Sequence, residues 1–235
     1  MKSVLFSAVV VSAVFMGAFA QASDTQYDAK YFTIGQVKIE RLDVSTQGTG
    51  SVGIPAPTPS DAPTGDVDLG NIINLGKKLW DIIVANKPVV NISTDMATAL
   101  PSGVKGWDQL ATWQMPTVRE YRVTYTNLYG MNMVDFKFRV LYTHGGSVNG
   151  KGQYLTNATI IPAHLTVGWG YTFNAQSTVA GVMNAGTATD PVAAMQLQLH
   201  WSIDTVLKHE ENSVNYYIKG DGSFKALGSL GEEIL

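Results

Sequence analysis

The sequence predicts a mainly β protein: an antiparallel β-sandwich or barrel-like sheet with long strands and one packed amphipathic helix. Three observations carry this expectation. Apolar and polar residues alternate with period two through most of 89–220, the pattern of half-buried strands. Charged residues make up only 15% of the 235 positions, against roughly 25% in an average soluble domain; Thr, Asn, Gln, Ser and Gly fill the difference, as suits the exposed face of a sheet. A single stretch, 66–86, repeats apolar residues at helical spacing.

The chain opens with Lys2 and an uncharged apolar run from Val4 to Phe19, followed by Ala18-Phe19-Ala20. A basic start, an apolar segment and a small-x-small motif predict a signal peptide over 1–20, cut after Ala20. The run is shorter than the ~20 residues that a bilayer-spanning helix needs. The expected location is therefore exported, periplasmic or extracellular.

Residues 21–65 form the expected N-terminal region, a strand followed by a linker. Tyr31 to Val44 alternates as a strand should, but the series Phe32, Ile34 falls out of phase with Val37, Ile39 around Gly35, which predicts a bulge there. Residues 45–65 carry Pro55, Pro57, Pro59 and Pro63 among Gly, Ser and Thr, and read as an exposed Pro/Gly-rich linker.

Residues 66–235 are expected to form a single β-rich domain. Its helix would run over 66–86, with Asp66 or Asp68 as cap, a stripe of Leu69, Ile72, Ile73, Leu79, Trp80 and Ile83 facing the sheet, and Pro88 as the stop. Tyr121, Val123 and Tyr125 then oppose Val134, Phe136, Phe138, Val140 and Tyr142, joined through a turn containing Gly130; this predicts a hairpin. The series Leu165, Val167, Trp169, Tyr171 and Phe173 reads as one further strand, Met195 to Ile203 as another, and Val214, Tyr216 and Ile218 as a short last one. Residues 144–153 and 175–191 read as turns or loops, and Trp80, Trp169 and Trp201 as core.

The chemistry is sparse. With no cysteine, disulfide scaffolds, zinc-thiolate and Fe–S centres and cysteine nucleophiles are excluded. Asp plus Glu, 19, exceeds Lys plus Arg, 16, which argues against a nucleic-acid partner. No nucleophile elbow, His-Glu-x-x-His or phosphate-cradling loop occurs, so no catalytic residue, metal ligand or cofactor is assigned. His200 and Asp204 on one strand would stand about 13 Å apart, too far for one metal.

The candidate binding residues are Trp107, Asp108, Gln109 and Trp113. They fall in a loop-like stretch, GWDQLATWQMP, which puts two indoles beside amide and carboxylate groups. Indole faces stack on the apolar C–H faces of sugars while neighbouring polar groups bond the hydroxyls; the bland alternative is that both indoles plug one end of the core. The expectation is an exported, non-enzymatic β-domain that binds a ligand, a glycan or an envelope protein. The alternatives are a membrane-active or outer-membrane-associated β protein with peripheral membrane contact, and an exported hydrolase. Oligomeric state is not legible.

Overall fold

A computed structural model describes residues 27–42, 67–74, 78–85 and 96–227, with the backbone path alone for 78–85. The expected signal peptide, the Pro/Gly-rich stretch and Pro88 lie outside the described residues.

The fold is two antiparallel sheets facing one another across a single apolar core. The strands are β1 (Ile34–Leu42), β2 (Asp68–Asn74), β3 (Lys78–Ala85), β4 (Ala97–Ser102), β5 (Thr117–Asn127), β6 (Asn132–Val148), β7 (Lys151–Val167), β8 (Thr172–Asn184), β9 (Ala193–Asp204), β10 (His209–Lys219) and β11 (Phe224–Leu227). One sheet has six strands in the order β1-β5-β6-β7-β4-β2, and the other has five in the order β11-β10-β9-β8-β3. A four-residue helix, α1 (Ala29–Phe32), precedes β1, and a 3-10 turn spans Trp107–Gln109.

The alternating series build the core as their period requires. Tyr121, Val123 and Tyr125 of β5, Val134 to Tyr142 at even positions of β6, and Met195 to Ile203 at odd positions of β9 are all buried. The two layers meet through aromatic contacts: the rings of Tyr121 and Tyr216 lie 5.2 Å apart and those of Phe136 and Phe173 5.0 Å apart. One buried polar bond ties the layers as well. The Trp201 indole donates to the Tyr125 hydroxyl at 2.8 Å, and the Asn212 amide donates to the same oxygen at 2.9 Å. Burial pushes the Tyr125 hydroxyl up to about 12, against which the bond from Trp201 acts.

The expected β5–β6 hairpin forms, with Tyr125 paired to Val134. The break in phase at Gly35 is a register shift between Ile34 and Gln36, where an added Cβ would come 2.9 Å from the Asn127 carbonyl oxygen.

Five expectations are corrected. The helix expected over 66–86 is not found; the described residues of that stretch supply β2 to one sheet and β3 to the other. Ile72 and Ile73 pair with Pro101 and Leu100 of β4, and Ile83 pairs with Asn174 of β8. Ile72, Ile73, Ile82, Ile83 and Val84 are β-branched and Gly70 sits inside the stretch, so helical propensity is poor and sheet partners win. Asp68 does bond the amides of Gly70 and Asn71, at 3.1 and 3.3 Å, but this local cap leads into a strand. The start of the 31–44 strand is likewise helical up to Phe32, with Asp28 as its cap.

Residues 144–153 are mostly strand: β6 and β7 continue to a tight turn at Asn149-Gly150, with φ of 51° and 76°, the geometry that suits an Asn-Gly reversal. Most of 175–191 belongs to β8, which runs to Asn184. Finally, the series from Leu165 to Phe173 is two strands separated by a turn at 168–171, and Trp169 is not core: it is 75% exposed.

Candidate functional site

Strand direction decides which connections share an end. β5, β7 and β9 all run toward the end where β1 begins, since Ile34 pairs with Asn127 at the end of β5. The turns at 128–131, 168–171 and 205–208 therefore gather at one end with α1. The turns at 149–150 and 220–223, the 185–192 connection and the 3-10 turn lie at the opposite end.

The α1 end is organised by the short helix. Asp28 caps it, accepting from the Lys30 and Tyr31 amides. The Lys30 carbonyl then accepts from the Leu128 amide at 3.2 Å. The Tyr31 hydroxyl donates to the Trp169 carbonyl at 3.1 Å. The Phe32 carbonyl accepts from the Thr205 hydroxyl at 3.0 Å. One helix thus fastens all three turns.

Packing reinforces the bonds. Phe32 is buried, with its ring 4.9 Å from that of Tyr31 and 6.0 Å from that of Trp169. Gly170 has φ of +76°, and a Cβ there would come 2.5 Å from Cε1 of Phe32. At Gly168 a Cβ would come 2.5 Å from Cε of Met133. Glycine on both sides of Trp169 lets the backbone lie flat on the core while the indole projects outward.

What this end presents is apolar. Among the described residues, nine large hydrophobic side chains are exposed, and seven of them stand here: Tyr27, Leu128, Tyr129, Met131, Trp169, Val206 and Leu207. Interaction surfaces are commonly built from exposed apolar side chains that cluster, whereas singly scattered ones are ordinary. Lys30 stands over the Tyr129 ring, 6.0 Å from its centre, and the Tyr129 hydroxyl donates to Asp28 at 3.0 Å. That bond raises the Tyr129 hydroxyl above its ordinary value.

Trp107, Asp108, Gln109 and Trp113 lie together at the opposite end. Trp107 and Trp113 are half-buried and pack against the core. The Trp113 indole donates to the Trp107 carbonyl at 3.0 Å, and its ring lies over Gly146, where any Cβ would collide with it. The Gln109 side-chain oxygen accepts from the Lys105 amide at 2.8 Å, closing its own loop. Asp108 is half-buried with its carboxylate folded back over Gly106. Bonds between Ala111 and Ser147, at 2.8 and 3.0 Å, and from the Gln114 amide to the His144 carbonyl, at 2.9 Å, stitch the whole loop to β6.

Several charged groups are engaged in pairs within and across strands. On the outer face of the six-stranded sheet, Arg122 binds Asp135 through two bonds, at 2.9 and 2.6 Å, which holds the Asp135 carboxyl below its usual range. Arg139 binds Glu120 at 2.6 Å. At the opposite end, the Arg119 guanidinium stacks 4.2 Å above the Phe224 ring. His209 bridges Asp204 and Glu211 on the β9–β10 hairpin, and the bond to Asp204, then that to Glu211, raises the imidazole above its ordinary value. No group of three or more His, Cys, Asp or Glu among the described residues is placed to hold a metal ion. No described helix is long and apolar enough to cross a membrane, which leaves membrane crossing by strands untouched.

Sequence reasoning missed the α1 end. The signals were present: glycines on both sides of Trp169, and apolar residues inside turn sequences, Leu128-Tyr129-Gly130-Met131 and Val206-Leu207, where turn chemistry favours polar ones. Comparison of the chain with protein-family models, curated proteins and solved structures finds no match.

Proposed function

We propose that this chain is an exported, non-enzymatic binding module whose contact surface is the α1 end of its β-sandwich. The observation that carries the reading is the gathering of six exposed apolar side chains on three turns held by one helix, with Tyr27 just before that helix as a seventh. A rigid sheet that presents turn residues is the usual way a β-domain builds a binding surface. Preorganisation matters here: the turns are fastened before any partner arrives, so little ordering entropy opposes contact. The expected partner lies in the cell envelope, consistent with the export signal expected over 1–20. The indoles of Trp107 and Trp113 are a second contact region, at the far end.

Cosedimentation with isolated cell envelopes tests the reading. The exported protein should pellet with envelopes, and a Tyr129→Ser, Trp169→Ser, Leu207→Ser triple variant should stay in the supernatant with its melting temperature retained. Undiminished pelleting of that variant overturns the assignment of the surface.

A further inference from the structure

We infer that the end of the sandwich opposite α1 holds a carboxylate-binding site built on Arg119 and Arg41. The site is independent of the reading of the α1 end and uses none of its residues.

Strand alternation places the first cation. Arg119 stands two residues before Tyr121 on β5 and so shares its inward face. Its guanidinium reaches between the layers, with Cζ 4.2 Å from the centre of the Phe224 ring on the opposing sheet. Arg41 is the second cation. It pairs in register with Tyr121 across β1 and β5, and residues paired in this way project from the same face. Burial raises the Tyr121 hydroxyl above its ordinary value, and Arg119 and then Arg41 act against that rise, so two positive charges flank one hydroxyl.

A cation set against an apolar core ordinarily meets a carboxylate, because its loss of water is otherwise uncompensated. The outward arginines of the same hairpin follow this rule: Arg122 holds Asp135 at 2.6 Å and Arg139 holds Glu120 at 2.6 Å. Neither Arg119 nor Arg41 is ion-paired to a carboxylate among the described residues. Nε of Arg122 and Nε of Arg139 both donate to carboxylates, whereas Nε of Arg119 is closed off from water with no acceptor.

The neighbouring groups do not supply the missing charge. The Tyr142 hydroxyl donates its proton to the Gly222 carbonyl at 3.1 Å. Burial raises that hydroxyl, and Arg119 and Thr117 beside it act against the rise, but it stays neutral. Asp221, whose charge also reaches Tyr142, is itself held by Lys219 at 2.5 Å and by the Ser223 amide at 2.8 Å.

The donor geometry suits a carboxylate. With Nε closed off, the terminal Nη pair is the fork left for a ligand. Two parallel N–H donors match the two oxygens of a carboxylate, and Arg41, which is exposed, adds positive charge on the same face. The seat over Phe224 fixes the guanidinium in advance, which lowers the ordering cost of binding.

Titration of the isotope-labelled exported protein with sodium acetate, followed by nuclear magnetic resonance, tests this, with sodium chloride at equal ionic strength as the control. Acetate should shift the Arg119 Nε–H signal and the backbone amides of 117–121 and 223–226 along a saturable curve, and chloride should not. Arg119→Lys keeps the charge but loses the planar fork, and should weaken acetate binding on the order of tenfold. Arg41→Gln, at an exposed position, should weaken it about threefold. Should Arg119→Lys fail to fold, Arg41→Gln decides alone. Shifts that do not saturate, equal shifts with chloride, or unchanged affinity in Arg119→Lys, or in Arg41→Gln where it decides alone, overturn the inference.

Discussion

Two glycines at the α1 end share one backbone conformation and differ only in the space around them, so a pair of alanine substitutions isolates how firmly α1 is packed on its turns. Gly130 has φ of +77° and nothing within 4 Å of an added Cβ. Gly170 has φ of +76°, but its Cβ would come 2.5 Å from the buried ring of Phe32. Placing an L-residue in this left-handed region costs about 1–2 kcal/mol at either site. At Gly170 the clash adds to it. Phe32 is held by the rings of Tyr31, Tyr171 and Trp169 and cannot swing away freely, so overpacking should add about 1–3 kcal/mol. Gly170→Ala should therefore lose about 2–5 kcal/mol and Gly130→Ala about 1–2, the strain alone. Urea unfolding of both variants at one pH measures the difference. Equal losses would mean that the helix is not seated on the 168–171 turn, and the account of the preorganised end would fail.

Three further outcomes are expected. Tyr125→Phe removes the oxygen that accepts from Trp201 and Asn212, and stranding a buried donor should cost about 1–3 kcal/mol in equilibrium unfolding; an unchanged midpoint would show that the interlayer bond is dispensable. His209 is raised above its ordinary 6.5 by Asp204 and Glu211, so its contribution is complete below pH 6.5 and fades as pH rises through the elevated value. The stability of the native chain should fall over that window relative to His209→Gln, and parallel pH profiles would contradict the pairing. Trp107→Ala should weaken binding on a polysaccharide array with little loss of melting temperature if the indole contacts a glycan. As a core plug it should instead lose about 3–5 kcal/mol with an unchanged array profile.

The fold class was legible because sheet burial imposes period two wherever a strand has one dry face. Tyr121 to Tyr125, Val134 to Tyr142 and Met195 to Ile203 all show it, and all are buried. The same periodicity hid the chain reversal at 168–171. Val167 and Phe173 face inward on opposite sides of that turn and keep the same parity, so alternation runs on unbroken while the chain turns back and Trp169 emerges. Spacing also misled at 66–86. Apolar residues at intervals of one, three and four fit a helix face, but a strand pair divided between two sheets produces the same intervals, and only the long-range partners in β4 and β8 decide between them. Trp107, Asp108, Gln109 and Trp113 lie in one loop because the seven residues of 107–113 cannot separate them far. The surface at the α1 end was out of reach for the opposite reason: residues 27, 128–131, 169 and 206–207 are brought together only by topology.

The most direct test of the proposed surface is amide hydrogen exchange of the exported protein with and without isolated cell envelopes. The account predicts added protection at 127–132, 168–171 and 204–209, with 103–116 unchanged; protection centred on 103–116, or none at the three turns, would contradict it.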